Sequence, residues 1–140
     1  MSEPVVSSAL QLVGSMNSYS VVQIGEQTDG DKLVVPPDTE DGSTELKWSH
    51  GIVSYEGWVN PTTGNYKILP TFSGFKIGIF PGTFNDRLKL DVDIKKATGP
   101  LEIYLDYKDD IPHLMTRLAL GVESGSPDYD NTFDVCALKP

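Results

Sequence analysis

Carboxylates are the residues of this chain with most chemistry to offer. Asp128, Asp130 and Asp134 fall within seven positions. Calcium is a hard cation that takes several oxygen ligands, so these three are the candidate metal ligands and Ca²⁺ the expected ion. A second acidic run is Asp106-Tyr107-Lys108-Asp109-Asp110, and neither run has the twelve-residue spacing of an EF-hand. On a chain of net charge −9 the competing reading is acidic loops left in water. Paired carboxylates also hydrolyse glycosides and esters when their surroundings separate the two pKa values. Asp106, Asp109, Asp128 and Asp130 are the route to such a hydrolase, ranked last because loops open to water rarely supply that separation. Nothing else reads as catalytic. His50 and His113 are distant in sequence, and Ser49 points away from His50 if both lie on a strand. Nucleophile elbow, phosphate loop and zinc-ligand spacing are all missing from the sequence. Cys136 is a lone cysteine, expected as a small buried hydrophobe.

Rings near a turn form the other constellation. Tyr55, Trp58 and Tyr66 flank Asn60-Pro61-Thr62-Thr63-Gly64, where proline and glycine suit a tight reversal. Tyr55, Trp58, Asn60, Thr63 and Tyr66 are therefore candidate ligand contacts, with rings to stack on a sugar or protein and an amide and a hydroxyl to hydrogen-bond it. Packing of the same rings into the core is the competing reading, and Trp48 is assigned to the core. The segment Trp58-Val59-Asn60-Pro61-Thr62-Thr63-Gly64-Asn65-Tyr66, with Ser73-Gly74-Phe75-Lys76-Ile77 after it, resembles the hairpin of C1q/TNF-like domains. The resemblance covers about twenty residues and implies a ten-stranded jelly roll that forms trimers and binds protein ligands or receptors. The hairpin lies later in the chain than in that family, and Phe133 to Leu138 lacks its aromatic-Gly closing strand.

Short strands must position these residues. From Arg87 to Lys108, apolar Leu88, Leu90, Val92, Ile94, Leu101, Ile103 and Leu105 alternate with charged residues, the mark of a hairpin with one buried face. Gly99-Pro100 is the expected turn. Two registers keep the apolar faces together: Ile94 opposite Leu101, which sets Asp93 against Glu102, or Ile94 opposite Ile103, which sets Asp91 against Asp106. Both oppose like charges, so pattern does not choose. Elsewhere, 19–24 reads as a strand, Asp29-Gly30 as a turn to a return strand at 33–35, and 38–44 as a long polar loop. Leu46, Trp48, His50 and Ile52 share a face, with a bulge at Gly51; Phe75, Ile77 and Ile79 share another. Residues 112–120 form a strand, with a short helix capped at Asp110 as the alternative. The last loop is 123–130 and the closing strand 133–138. The fold class is all-β, an antiparallel β-sandwich or jelly roll spanning 19–140, preceded by a tether or linker at 1–18.

Acidic residues outnumber basic ones 20 to 11, which argues against nucleic acid as a partner and against anionic membranes. No apolar run is long enough to cross a bilayer as a helix. The start, Met1-Ser2-Glu3-Pro4, lacks a basic signal region, so a cytosolic product or a piece of a longer chain is expected. In general style the chain resembles the protruding domains of viral capsids, which are small, acidic, turn-dense β-sandwiches. That resemblance implies a non-enzymatic module on the virion surface or outside the cell, with a cytoplasmic location left open. It also implies a homo-oligomer, dimer or trimer, that presents loops to a receptor protein or glycan. Phe72, Phe80 and Phe84 are the apolar surplus expected to drive association. A carbohydrate-binding module is the alternative.

Overall fold

In this computed structural model the described residues are 5–7, 9–15, 17–26, 41–83, 87–95, 97–122 and 130–137. Thirteen strands are seen among them: β1 Val5–Val6, β2 Leu10–Ser15, β3 Ser18–Gln23, β4 Thr44–His50, β5 Val53–Val59, β6 Asn65–Phe72, β7 Phe75–Lys76, β8 Gly78–Thr83, β9 Leu88–Asp93, β10 Ala97–Lys108, β11 Ile111–Ala119, β12 Gly121–Val122 and β13 Asp130–Ala137. One sheet runs β1-β8-β6-β5-β4 with β7 beside β6; the other runs β13-β11-β10-β9-β3-β2 with β12 beside β10. Period-two patterns supply the apolar faces, and the two sheets share one core. The architecture is a β-sandwich whose strands are joined mostly as two meanders, β4 to β8 and β9 to β13, rather than as the Greek keys of a jelly roll. One neighbouring pair, β3 with β9, is parallel, because the chain builds the opposite sheet between them.

Several local expectations are corrected. The segment expected as a tether contributes a strand to each sheet: β1 pairs with β8 and β2 with β3. Ser7 makes the crossing between sheets, donating its N–H to Ile77 O at 3.0 Å while its Oγ accepts from Ala9 N at 3.1 Å. Residues 111–119 are strand, which removes the helix alternative. Gly51 and Ile52 are a two-residue turn between His50 and Val53, not a bulge within a strand. The organising hairpin reverses between Ile94 and Ala97, earlier than Gly99-Pro100, with Ile94 N donating to Ala97 O at 3.0 Å. Its register is neither of the two expected: Leu90 faces Leu101, Leu88 faces Ile103, and Lys89 faces Glu102. This third register keeps the apolar faces together and opposes unlike charges, so the electrostatic rule that disfavoured both alternatives is satisfied.

Two prolines explain the remaining irregularities. A proline inside a sheet removes one ladder donor, so a neighbouring strand is expected to break there. Pro100 interrupts the partner of β10: β11 and β12 keep one register on either side of the gap, Leu118 to Leu101 and Val122 to Ala97. There the Ala119 carbonyl occupies the space that a Cβ on Gly99 would need, and Gly99 adopts φ +129°. Pro70 lies at the β7–β8 interruption, where its carbonyl accepts from Ile77 N at 2.9 Å. The register slips by one residue between β7 and β8, so Phe75 and Ile77 face the core before the slip and Phe80 after it, leaving Ile79 half-buried. The expected Phe75-Ile77-Ile79 face is thus split. The 27–35 turn and return strand, residues 38–40 of the 38–44 loop and nearly all of the 123–130 tail lie outside the described residues, while 41–43 form a turn that leads into β4.

Candidate functional site

The rings expected to meet a ligand are inside. Tyr55 is wholly buried, and Trp58 and Tyr66 are 3% and 2% exposed. Tyr55 and Tyr66 stand on the inward faces of β5 and β6, where alternation sends every second side chain into the core. Tyr55 Oη reaches across the sandwich to Thr116 Oγ1 at 2.8 Å, and that hydroxyl donates to Glu102 O at 2.9 Å. Burial pushes the Tyr55 hydroxyl far above its ordinary value, the Thr116 bond only partly offsetting this, so it stays neutral. Trp48, half-buried, extends the cluster with ring centroids 5.0 Å from Tyr55 and 5.7 Å from Phe133.

Asn60 is buried too, and its side chain builds the turn. Its Oδ1 accepts from Thr62 N at 2.9 Å and Thr63 N at 3.2 Å, and its Nδ2 donates to Asp41 O at 3.1 Å. Thr63 is exposed, with its Oγ1 accepting from Asn65 N at 3.2 Å. The motif that resembles the C1q/TNF-like hairpin does form the β5–β6 hairpin, and its polar residues serve the reversal. Of the five candidate ligand contacts, Thr63 alone is displayed, so the stacking platform is not assembled.

The acidic candidates are likewise engaged. Asp128 lies outside the described residues. Asp130 and Asp134 stand four residues apart on β13, roughly 13 Å along an extended strand. Arg117 donates to Asp130. Lys108 Nζ donates to Asp134 Oδ2 at 3.0 Å, and His113 Nδ1 lies 2.8 Å from the same oxygen. Partial burial pushes the Asp134 carboxyl up, but the bonds and charges of His113 and Lys108 outweigh it and hold the group below its usual range. Asp130 and Asp134 therefore face different cations. Among the described residues no group of three or more His, Cys, Asp or Glu side chains converges as a metal site. Cys136, more than half buried, has its thiol pushed up to about 11, by burial and then by the Asp134 charge.

A groove of about 320 Å³ follows β4 and β5 past Lys47, Ser49, Ser54 and Glu56. Trp48 and Tyr55 complete its lining, which is mixed where pockets that hold small ligands are mostly apolar. No family model matches the chain, and comparison with curated proteins and with solved structures returns no match.

The surface supplies what the expected sites do not. The exposed large apolar side chains among the described residues are Val5, Val13, Val22, Ile24 and Tyr107. Four of the five belong to the N-terminal flank, on or just after β1, β2 and β3. Sequence reasoning missed Val5 and Val13 because 1–18 read as a tether, and it placed Val22 and Ile24 on a strand without assigning them a face. The signal was there in the uncharged alternation of Leu10-Gln11-Leu12-Val13. Tyr107 stands alone at another place, beside the β10–β11 tip. That tip is a two-residue turn with Asp109 at φ 53° and Asp110 at φ 65°. Its form matches the twist of the strands but asks both aspartates for a left-handed backbone that non-glycine residues adopt at a cost.

Proposed function

We propose that this chain is a non-enzymatic assembly and attachment module. It self-associates through the N-terminal flank and presents its hairpin tips to a receptor, as a protruding domain does on a viral capsid. The observation that carries this reading is the gathering of Val13, Val22 and Ile24 on the outer face of the β2–β3 hairpin in a protein of net charge −9. Contiguous exposed apolar groups mark interaction surfaces. The association surface is therefore not built from the phenylalanines: Phe72 and Phe80 are core residues, and Phe84 lies outside the described set. Tyr107 and the Asp109-Asp110 turn are the contact offered to a receptor, an exposed ring beside two exposed aspartates. Two of the carboxylates that a hydrolase reading would recruit have structural partners, which supports the non-enzymatic reading: Arg117 donates to Asp130, and Tyr107 N donates to Asp106 Oδ1. Sedimentation velocity across the micromolar range tests the reading. A concentration-dependent oligomer is expected, and a strict monomer would remove the reading's main support.

A further inference from the structure

Each sheet of this sandwich ends in strands whose outer backbone groups lack a strand partner among the described residues, and the edges differ in how they treat a neighbour. Edge strands invite pairing with another chain unless charge, bulges or shortness discourage it. In the first sheet β1 has two residues, and β4 carries exposed Glu45 and Lys47. In the second, β13 carries Asp130 and Asp134 and is bulged opposite Leu114 and Met115. β2 has none of these devices. Neither β2 nor its partner β3 contains a charged residue, Leu12 is half-buried against the core, and Val13 is exposed.

Backbone alternation says which groups face outward. Ile24 N donates to Ala9 O at 2.7 Å, which makes Ala9 and Ile24 a hydrogen-bonded pair. In an antiparallel ladder bonded pairs alternate, so Gln11–Val22 and Val13–Ser20 are bonded pairs as well. Leu12 and Gly14 therefore direct their N–H and C=O groups away from β3, toward the free edge.

We infer that a second copy of this chain pairs with β2 in antiparallel fashion about a two-fold axis at Leu12, making one continuous sheet across two subunits. The inference rests on the self-association proposed above and names its strand and register. Leu12 meets its own counterpart, each N–H donating to the other's C=O. Leu10 lies opposite Gly14 of the partner subunit, and Gln11 opposite Val13 of the partner subunit. The same patch meets itself, as a closed two-fold interface requires. Charge favours a second copy at this edge over any other. The nearest outward charges in that sheet, Lys89, Asp91 and Asp93 on β9, stand two strand spacings from β2, about 10 Å away. Across the pair the two β9 strands are five spacings apart, about 24 Å, well beyond the screening length of about 8 Å at physiological salt. Two copies of charge −9 can therefore meet here with little repulsion.

Two double variants test both strand and register, because Gln11 and Val13 are exposed and their replacement leaves the core intact. Q11K/V13K sets like charges opposite each other twice across the axis and is expected to weaken the pair by about tenfold or more in sedimentation. Q11K/V13E sets unlike charges opposite each other and is expected to retain the wild-type dimer. Far-UV spectra and melting temperatures matching wild type confirm folding of each. An oligomer indifferent to Q11K/V13K would overturn the β2 edge while leaving self-association standing. Equal dissociation of both variants would overturn the Leu12 register. A monomeric wild-type chain would overturn the pairing and the self-association reading together, leaving β2 to a strand of another protein.

Discussion

Tyr55 and Thr116 are two hydroxyl residues that the core has converted into one tie between its sheets. Removing the tyrosine hydroxyl leaves Thr116 its bond to Glu102 O, whereas removing the threonine hydroxyl strands the Tyr55 hydroxyl without water. Thr116→Val is expected to cost about 1–3 kcal/mol and Tyr55→Phe less. Tyr55→Phe/Thr116→Val should be more stable than the sum of the two, because no buried group is then left unpaired. Urea melts of the four proteins decide it; additive costs would mean that the hydroxyls act separately. A second residue-scale prediction concerns acid. The Asp134 carboxyl is held below its ordinary value of 3.8. Its contribution is therefore present in full above that value and is lost as pH falls through the lower, folded one. Asp134→Asn should lower the melting temperature by about 1–3 °C at neutral pH, since the pair is partly exposed. That gap should narrow as the medium becomes more acidic than the ordinary carboxylate value and close below the lower, folded one, and a gap of unchanged size at that acidity would contradict the assignment. Alternation in sequence was enough to place Trp48 against the core. It could not tell that Tyr55 and Tyr66 belong there too, because rings beside a Pro-Gly turn look alike in sequence whether they point in or out.

Among the elements, the fold hinges on positions where backbones approach closely. Gly99→Ala would drive a Cβ into the Ala119 carbonyl at a φ that L-residues rarely adopt, and should cost at least about 2 kcal/mol. Gly25→Ala meets open space and should be neutral or slightly stabilising, so a denaturation experiment on the pair carries its own control. Asn60→Ala removes the Oδ1 that accepts both turn N–H groups and the donor to Asp41 O, and should cost about 1–3 kcal/mol by the same measurement. Strand faces were legible from Leu88-Leu90-Val92 and Leu101-Ile103, because a half-buried strand must alternate. The turn was not. Gly-Pro is a common reversal signal, yet here Gly99 accommodates a neighbouring carbonyl and Pro100 sits in the strand, while the reversal falls at Ile94 to Ala97. Likewise Ser73-Gly74 carries a recognisable turn signature, whereas Asp109-Asp110 adopts the left-handed pair without glycine or asparagine.

At the scale of the molecule, an all-β sandwich could be read from turn signals about every ten residues. The place of 1–18 could not, because β1 is held by β8 far along the chain and the chain crosses between sheets before β2 pairs with β3. Among the described residues Asp130 faces Arg117 on β11, and Asp134 faces His113 on β11 and Lys108 on β10. What the fold leaves open is an uncharged edge on a protein of charge −9, flanked by its exposed apolar side chains. Backbone exchange at that edge reads its state directly. The Leu12 amide, turned away from β3, should exchange with solvent deuterium more slowly as protein concentration rises, and the dependence should vanish in Q11K/V13K. An exchange rate at Leu12 that stays constant from dilute to concentrated solution would contradict assembly through β2.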